Sequence, residues 1–560
     1  MKIPILPCVL LSLLAATTLP SFAELPKKIE DLYDPDLAPF YHGVASGDPL
    51  PDGFIIWTRV TQGEKHDADS IRVVWTVATD NKLKNVVAHG DTSATRERNF
   101  TVKVDVRGLE AGKTYFYGFK SLGRNSIIGR TKTTPNVAVD QLKFAVVSCA
   151  DMDWGYFSGY RKIAKRNDLD AVIHLGDYIY EYEDNASYSS PEVRNERVIF
   201  PSSETVTLSN YRKRYSTYHL DPNLRYAHRR HPFIAIWDDH EFANDAWKGG
   251  AENHQPKTEG SWSARKAAAK RAYMEWMPIR ESGGSIFREI SYGPLMDLIM
   301  LDTRVEGRDK QIHDVTNPRL DDPDRTMLGE PQKEWLKTSL ASSDATWKII
   351  GNQVLFSEFN IGFAAKGDPL ISPNTLESMF LDIWDGYPAE RSELVDFMAT
   401  EALDNTVFLT GDIHSSFALE VADPAFDNPS YNPKTGEGAV AVEFVTPSIS
   451  AANFDEEVGD FFTRSLEHDF NHPDEDGVNP NPHMKFVDLD RHGYIVLSVS
   501  ADQVQADYYY LDDILVPKTT ETWGAGLISA ARTHHLVKAK APAPQKSVPD
   551  ADEPELPSDQ

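Results

Sequence analysis

The chain has 560 residues, of which 41% are hydrophobic and 25% charged, a composition typical of globular proteins. This length allows two domains or one large domain with additions. The formal net charge is −28, from 85 acidic and 57 basic residues. It argues against a protein that binds duplex nucleic acid, because such a protein needs a basic face toward the phosphates. The acidity suits solubility first, and it also suits a protein that gathers cations.

Residues 1–23 have the pattern of a secretory signal peptide. Lys2 precedes an almost wholly apolar run at 3–19, and Ser21-Phe22-Ala23 matches the small-x-small cleavage pattern. A membrane anchor is the alternative, but threonines and prolines interrupt the run and no basic stop-transfer cluster follows it at once. No twin-arginine pair precedes the run, which favours the general secretion route. The sequence therefore predicts cleavage after Ala23, a periplasmic or extracellular location and no stable membrane anchor.

Residues 24–137 are predicted to form a small all-β domain. The runs 53–60, 71–77 and 115–119 are rich in β-branched and aromatic residues, and 102–106 alternates between apolar and polar residues. Strands at this spacing are typical of a small sandwich of immunoglobulin or fibronectin type. Residues 133–136 are the predicted linker to the next domain.

Residues 138–515 are predicted to form a catalytic α/β domain. Short apolar strands are expected at 144–148, 171–175, 233–237, 295–301, 347–350 and 406–409, and helices at 155–166 and around 211–218. This alternation indicates a layered α/β core, which 440–446 and 494–510 would complete. Residues 516–560 are the predicted C-terminal extension. From Lys538 it has almost no large apolar residue, so a flexible tail is expected there.

Four polar clusters each follow one of the predicted core strands directly. Ligands of open α/β sheets sit at the carboxyl ends of strands, and turn chemistry explains a single such cluster better than it explains four. The pattern therefore indicates a shared metal or catalytic site. The clusters lie at 148–151, 176–180, 237–245 and 411–414, and the candidate site residues in them are Cys149, Asp177, Tyr180, Asp239, His240, Asn244, Asp412 and His414.

Cys149 is the one cysteine of the predicted mature chain, because Cys8 lies within the signal peptide. A single cysteine cannot form an internal disulfide, and a lone cysteine is more often a small buried apolar residue than a ligand. Its position after the first core strand favours a metal ligand bound as thiolate.

The whole motif set resembles one family. Residues 176–180 and 412–414 resemble the GDxxY and terminal-histidine motifs of purple acid phosphatases and other metallophosphoesterases, and 239–241 resembles their Asn/Asp-His-Asp/Glu block. With a cysteine at position 149, the set is similar to that of the PhoD-type alkaline phosphatases. The likeness spans about residues 40–510. It implies a layered metallophosphoesterase-like β-sandwich core flanked by helices and preceded by the small all-β domain.

The resemblance also implies Fe³⁺ and Ca²⁺ in one cluster. Thiolate, phenolate and imidazole suit a transition metal, and a phenolate ligand requires a strongly acidic cation. A carboxylate with two oxygens can bridge two cations, and hard oxygen donors suit Ca²⁺. The iron ligands are expected to be Cys149, Tyr180 and His414, the bridge Asp177, and the calcium ligands Asp239, Asn244 and Asp412, with Asn352 as a weaker candidate.

The implied reaction is hydrolysis by a metal-activated water or oxide nucleophile. His240 would contact the phosphate or protonate the leaving group. Arg304 has two equally weighted interpretations: it holds phosphate through parallel hydrogen bonds, or it forms a structural salt bridge with Asp302 or Asp297.

The sequence therefore predicts an exported, monomeric alkaline phosphatase. Its expected substrates are small phosphate monoesters and also diesters, with nucleotides and phospholipid head groups as candidates. One alternative is a phosphodiesterase or phospholipase-D-like hydrolase of the same branch. Another is a non-catalytic surface-binding protein. His254 is expected to be a surface or structural residue, and Trp247 either lines the cleft or packs in the core.

Overall fold

The computed structural model describes residues 25–63, 67–184, 188–194, 196–281, 285–365, 372–426, 428–472 and 481–546. The predicted signal peptide lies outside these residues. Eight strands come first: β1 (Val44–Leu50), β2 (Gly53–Arg59), β3 (Ser70–Ala78), β4 (Val86–Thr95), β5 (Thr101–Arg107), β6 (Thr114–Ser121), β7 (Arg124–Asn125) and β8 (Gly129–Lys132).

Strands and helices alternate after this strand-rich region. The next elements are β9 (Leu142–Val147), α1 (Ser158–Lys165), β10 (Ala171–His174), α2 (Pro191–Arg194), α3 (Leu208–Leu220), α4 (Pro222–Arg230), β11 (Pro232–Ala235), α5 (Pro256–Glu259) and α6 (Trp262–Trp276). They are followed by β12 (Arg288–Tyr292), β13 (Met296–Met300), α7 (Glu330–Ser342), β14 (Trp347–Gly351), α8 (Pro373–Met379), α9 (Pro388–Thr400) and β15 (Thr406–Thr410). The last elements are β16 (Ser416–Val421), β17 (Ala441–Val445), α10 (Phe454–Val458), α11 (Asp460–Asn471), β18 (Met484–Asp488), β19 (Gly493–Val499), β20 (Gln503–Leu511), β21 (Glu521–Ala530) and β22 (Leu536–Lys538).

Ten strands form one large sheet in the order β22-β21-β20-β19-β9-β10-β11-β1-β2-β5. Its centre is parallel, from β9 through β10 and β11 to β1, and the strands on both sides are antiparallel. Every residue of β9, β10 and β11 is buried. This explains their continuous apolar sequences, because a parallel sheet is covered on both faces.

A second sheet of seven strands, in the order β12-β13-β14-β15-β17-β16-β18, packs face to face against the large sheet. The rings of Phe144 and Tyr292 meet across the interface with centroids 5.1 Å apart. Successive side chains of a strand point to opposite faces. Ile349 accordingly belongs to the core between the sheets, whereas Ile350 packs with Leu336 of α7 on the outer face. The result is a mixed α/β core with helices outside two sheets.

The N-terminal strands are continuous with this core. The small sheet β4-β3-β6-β7, with β8 on β6, packs on β1, β2 and β5 through residues such as Phe54, Val73 and Tyr117. However, β1 pairs in parallel with β11, so one layer of the predicted all-β domain is part of the large sheet. The predicted linker is also packed: Thr134 is fully buried and its N–H donates to the carbonyl of Leu50 at 3.1 Å.

The C-terminal region extends the large sheet. Strand β21 pairs with β20 and β22 with β21, so strand pairing crosses the predicted boundary at 515. The expectation of a flexible tail from Lys538 is wrong for residues 539–546. Ala543 N–H donates to Asp507 Oδ2 at 2.9 Å, and Lys546 Nζ lies 2.8 Å from both carboxylate oxygens of Asp170. Backbone and charged contacts hold this segment, so its lack of large apolar residues did not reveal its order.

The strands and helices named from the sequence are confirmed, with ends shifted by at most three residues, except that the run 494–510 is divided into two antiparallel strands, β19 and β20. The division into domains at 137 and 515 stays a prediction. Among the described residues, no helix combines the length and the apolar character needed to cross a membrane.

Candidate metal centre

The four polar clusters meet at one edge of the two sheets. Each begins within four residues of the carboxyl end of β9, β10, β11 or β15. The first three strands belong to the large sheet and β15 to the second. The site therefore lies where the two packed sheets present their strand ends together, as expected for ligands of parallel strands.

Four predicted ligands have left-handed backbone conformations. Cys149, Asp177, Asp412 and His414 have φ values of 58°, 53°, 62° and 53°. Positive φ is uncommon for residues other than glycine, costs on the order of 1–3 kcal/mol each and clusters at functional sites. Gly176, with φ 115°, has no space for a side chain, because an added Cβ would lie 2.3 Å from the Cβ of Asp238. These conformations turn the chain sharply at the strand ends.

The ligand-type side chains form three overlapping groups, each with ligand atoms within 4.8 Å of one another. Asp177 and Asp239 are each shared by two groups, so the three groups form one continuous cluster. The groups are Cys149–Asp177–His414, Asp177–Asp239–His240 and Asp238–Asp239–Asp412.

Hydrogen bonds orient His414 within the first group and Tyr180 beside it. The Tyr180 hydroxyl lies 3.3 Å from Asp177 Oδ2 and 3.1 Å from His414 Nε2. His414 Nδ1 lies 2.5 Å from the Ala452 carbonyl. A carbonyl only accepts hydrogen bonds, so Nδ1 carries the proton and Nε2 presents its lone pair to the cluster. Metal-binding histidines are commonly fixed by such a bond on the opposite nitrogen.

The chemistry of these donors fits bound cations. Burial, together with the charge of Asp177, raises the pKa of the Cys149 thiol, and the same two causes raise the pKa of Tyr180. Burial raises the pKa of Asp412 to about 7, although Arg304 opposes the shift. Asp238 Oδ2 is buried without a hydrogen-bond partner among the described residues, and Asp239 Oδ1 likewise has no hydrogen bond there but lies 3.5 Å from Arg304 Nη2. Buried carboxylate oxygens of this kind are normally paired or bound to a metal ion.

Arg304 lies among the carboxylates and is fully buried. Its guanidinium donates to Asp238, Asp382 and Asp412, and Nη2 lies 3.5 Å from Asp239. Each guanidinium nitrogen therefore contacts a carboxylate, and the structure favours the salt-bridge interpretation over a phosphate clamp. The partners are not the ones expected from the sequence. Asp302 accepts the Arg304 backbone N–H instead, at 2.8 Å.

His240 is held by a buried carboxylate. Its Nδ1 lies 2.7 Å from Glu181 Oε2, and Nε2 makes no hydrogen bond to any described residue. Burial disfavours the imidazolium, but Glu181, Asp239 and Asp177 outweigh it and raise the pKa of His240. Burial also opposes ionisation of Glu181, yet His240 and nearby amide donors lower its pKa to about 2. The pair is thus a charged hydrogen bond that fixes the ring.

Three acidic residues that were not among the predicted site residues contact the loops or Arg304 of the site: Glu241, Glu181 and Asp382. Glu241 accepts backbone N–H bonds from Asp177 at 3.0 Å, Tyr178 at 2.6 Å and Asp238 at 2.7 Å, joining the loops after β10 and β11. Glu181 directly follows Tyr180, and its position beside the GDxxY motif was the available signal. Asp382, which contacts Arg304, follows no core strand and gave no signal.

The two asparagine candidates make hydrogen bonds within the protein. The Asn244 side-chain amide lies 3.4 Å from Glu252 Oε2, and its backbone N–H donates to Glu181 at 2.8 Å. Asn352 is fully buried and bonds Val354, Thr410 and Trp384. The structure therefore brings Asn244 beside the cluster with its amide nitrogen on Glu252, and it places Asn352 in the structural hydrogen-bond network.

Comparison with known proteins identifies the class. The family model described as "PhoD-like phosphatase" matches residues 144–508, and "PhoD-like phosphatase, N-terminal domain" matches residues 29–135. The chain belongs to the PhoD-like phosphatase family. This confirms the resemblance seen in the motifs and supports a phosphoric ester hydrolase.

Two individual relatives agree with this assignment. Alkaline phosphatase D of Bacillus subtilis (strain 168) is 34% identical over 531 residues, which cover 92% of this chain and 85% of that protein. The solved structure titled "Structure of PhoD" superposes with a TM-score of 0.76 at 32% identity, covering 91% of this chain and 94% of that one. The likeness therefore extends over both the strand-rich N-terminal region and the α/β core.

Proposed function

We propose that this protein is an exported alkaline phosphatase that hydrolyses phosphate monoesters, and also diesters, at a mixed iron and calcium centre within a metallophosphoesterase-type core. The observation that carries the proposal is the continuous cluster in which Asp177 and Asp239 are shared between neighbouring ligand groups. A shared carboxylate can hold two cations near each other, which is the arrangement that many phosphoester hydrolases use.

The two ends of the cluster differ in donor chemistry. The sulfur, phenol and imidazole of Cys149, Tyr180 and His414 would hold Fe³⁺, with Asp177 as the bridge. Asp239, Asn244 and Asp412 would hold Ca²⁺ through hard oxygens, and the contact of Asn244 with Glu252 uses only its amide nitrogen. Bound cations supply Lewis-acid chemistry that polarises the phosphate and favours a water-derived nucleophile.

The surrounding residues position this cluster. Glu181 fixes His240 through Nδ1 and leaves Nε2 to contact the phosphate or to protonate the leaving oxygen. Arg304 balances the charge of Asp238, Asp382 and Asp412, which keeps these carboxylates together at the strand ends. We assign Arg304 a positioning role in place of direct phosphate binding.

The test uses full-length mature protein, with phosphate release from p-nitrophenyl phosphate measured beside the content of iron and calcium. We expect turnover that is lost when a chelator removes the metals and recovered when iron and calcium are restored. A protein without bound metal and without phosphate release would support the non-catalytic alternative instead.

Monoester and diester activities are separated by comparing p-nitrophenyl phosphate with its bis-ester. The proposal expects the monoester to be hydrolysed, with the diester as a further substrate. Turnover of the bis-ester alone would replace this function with the phosphodiesterase alternative.

Export is proposed from the first 23 residues alone. The mature protein is expected to begin at Glu24 and to be recovered from the periplasm or the medium, as shown by mass spectrometry of the fractionated protein. Recovery of the intact 560-residue chain from the cytoplasm alone would contradict export.

A further inference from the structure

Helix α3 carries none of the predicted metal ligands, but it contacts the loops that do. The Thr207 hydroxyl caps its first turn by accepting the Asn210 N–H at 3.3 Å. Arg212 of α3 forms a bidentate ion pair with Glu275 of α6, in which both nitrogen–oxygen distances are 2.6 Å. Bidentate pairs of this kind fix geometry as well as adding energy. Helix α3 therefore has a defined position from which its other side chains reach the site.

Three buried polar side chains lie on one face of α3. Tyr211, Arg214 and Tyr218 are at most 1% exposed. They are three and four residues apart, which places them on the same face of a helix with 3.6 residues per turn. Each of them bonds main-chain groups in a loop that follows a core strand. We call these three residues the α3 stripe.

Tyr218 joins two loops at the proposed iron end of the cluster. Its hydroxyl oxygen accepts the Met152 N–H at 3.2 Å and the Tyr180 N–H at 3.3 Å. Met152 lies three residues after Cys149, in the loop that follows β9. One hydroxyl group thus links the loops that carry the proposed iron ligands Cys149 and Tyr180.

Arg214 holds the loop after β10 by its carbonyl groups. Its guanidinium donates to the carbonyl of Tyr180 and to that of Tyr182, the latter at 2.8 Å. These two carbonyls belong to the residues on either side of Glu181, which orients His240. The contact therefore fixes the backbone at Tyr180 and at Glu181 together.

Tyr211 holds the loop after β11, at the proposed calcium end. Its hydroxyl donates to the Phe242 carbonyl and accepts from Arg265 Nε at 3.0 Å. Phe242 lies three residues after Asp239. The α3 stripe thus bonds the loops of three of the four polar clusters.

We propose that the α3 stripe is a positioning device that sets the spacing of these loops and thereby the affinity of the site for its metal ions. This rests on the proposed function, because it concerns the same metal centre. Tyr218 acts on the iron end and Tyr211 on the calcium end. Groups that orient metal ligands from behind typically account for 10–100-fold in metal affinity.

Tyr215 provides a matched control on the same helix. It is fully buried, and its hydroxyl has no hydrogen-bond partner among the described residues. Tyr215→Phe and Tyr218→Phe therefore remove the same atom from neighbouring buried positions, but only Tyr218→Phe removes a contact with the loops. Loss of an unsatisfied buried hydroxyl should not destabilise the protein.

The first experiment measures iron and calcium affinity separately in full-length mature protein. Calorimetric titration gives the calcium affinity, and chelator competition followed by visible absorption gives the iron affinity. We expect Tyr218→Phe to weaken iron binding by about tenfold or more and calcium binding less, with the opposite preference in Tyr211→Phe. Tyr215→Phe should keep both affinities. Affinities in Tyr218→Phe and Tyr211→Phe that equal those of Tyr215→Phe, or that fall equally for both metals, would overturn the proposal.

The second experiment uses metal-free protein and is independent of turnover. Backbone amides of 149–152 and 177–182 should exchange hydrogen faster in Tyr218→Phe than in Tyr215→Phe or the unchanged protein, as measured by mass spectrometry. Melting of the metal-free variants checks folding, and if Tyr211→Phe does not fold, the comparison of Tyr218→Phe with Tyr215→Phe decides. Equal exchange in these two variants would overturn the positioning role. Affinities that shift as expected in a protein without phosphate release would contradict the phosphatase function and leave the positioning role in place.

Discussion

At the scale of single residues, Cys149 is the most informative of the proposed ligands. Cys149→Ala should lose iron, its visible absorption and most turnover, because alanine offers no donor in place of the thiolate. The fold should survive, since alanine has the same backbone preference at φ 58°. Iron content, the visible spectrum and phosphate release provide the measurement. Cys149→Ser offers a weaker oxygen donor, and its iron content and turnover should lie between those of the unchanged protein and of Cys149→Ala. Normal iron content and turnover in Cys149→Ala would remove thiolate ligation from the proposed centre.

His240 separates metal binding from catalysis. His240→Ala should reduce turnover by about 10²-fold or more, the contribution typical of a general acid, while the metal content is retained. His468→Ala, at an exposed position of α11, is the matched control and should not change turnover. Loss of metal together with activity would make His240 a ligand, and an unchanged rate would exclude it from the reaction.

At the scale of elements, the C-terminal segment 539–546 is expected to stabilise the large sheet. Ending the chain after Lys538 removes the contacts of Ala543 with Asp507 and of Lys546 with Asp170. We expect the melting temperature to fall by about 2–4 °C, since each such hydrogen bond contributes on the order of 1 kcal/mol. Ending the chain after Lys546 is the control and should melt like the full chain. Identical melting of both truncations would show that the segment adds nothing.

The elements that the sequence predicted best are the strands with a short apolar run. Strands β9, β10 and β11 were predicted from short apolar runs, and they are buried on both faces. The order of residues 539–546 was not predicted because it comes from hydrogen bonds to distant residues, which leave no local pattern.

At the scale of the whole molecule, buried neutral histidines link stability to pH. Burial lowers the pKa of His174 and His219 to about 3 and that of His483 to about 4, and it also lowers the pKa of His42, His228 and His231. Between about pH 4 and 6.5 each of these histidines takes up a proton in the unfolded chain but not in the folded protein, so the contribution of each to stability falls as the pH falls through this window.

The expected slope is up to about 1.4 kcal/mol per pH unit for each such histidine. Melting temperatures at several pH values between 7.5 and 5, at fixed metal concentration, measure it. His483→Gln keeps a donor for the Glu358 carbonyl, which His483 contacts at 2.8 Å. The variant should reduce the slope of stability against pH by the contribution of one histidine. An unchanged slope in His483→Gln would contradict this account.

The sequence also predicted which side chains form the site better than it predicted their individual partners. Cys149, Asp177, Asp239, Asp412 and His414 follow core strands, and strand ends of a layered core must meet at one edge. The ion pairs of Arg304 were not predictable, because Asp382 reaches the cluster from a loop that follows no core strand. Long-range partners of this kind depend on tertiary packing alone.

The large sheet includes residues from 44 to 538, and the order of its strands determines when each strand can pair during synthesis. Strand β9 lies between β10, which follows it closely, and β19, which is synthesised hundreds of residues later. During synthesis one edge of β9 therefore remains open until the ribosome has completed most of the chain. Prematurely ended products that lack residues 493 onward would expose this apolar edge, a surface prone to aggregation, so the nascent chain needs protection until its end is released.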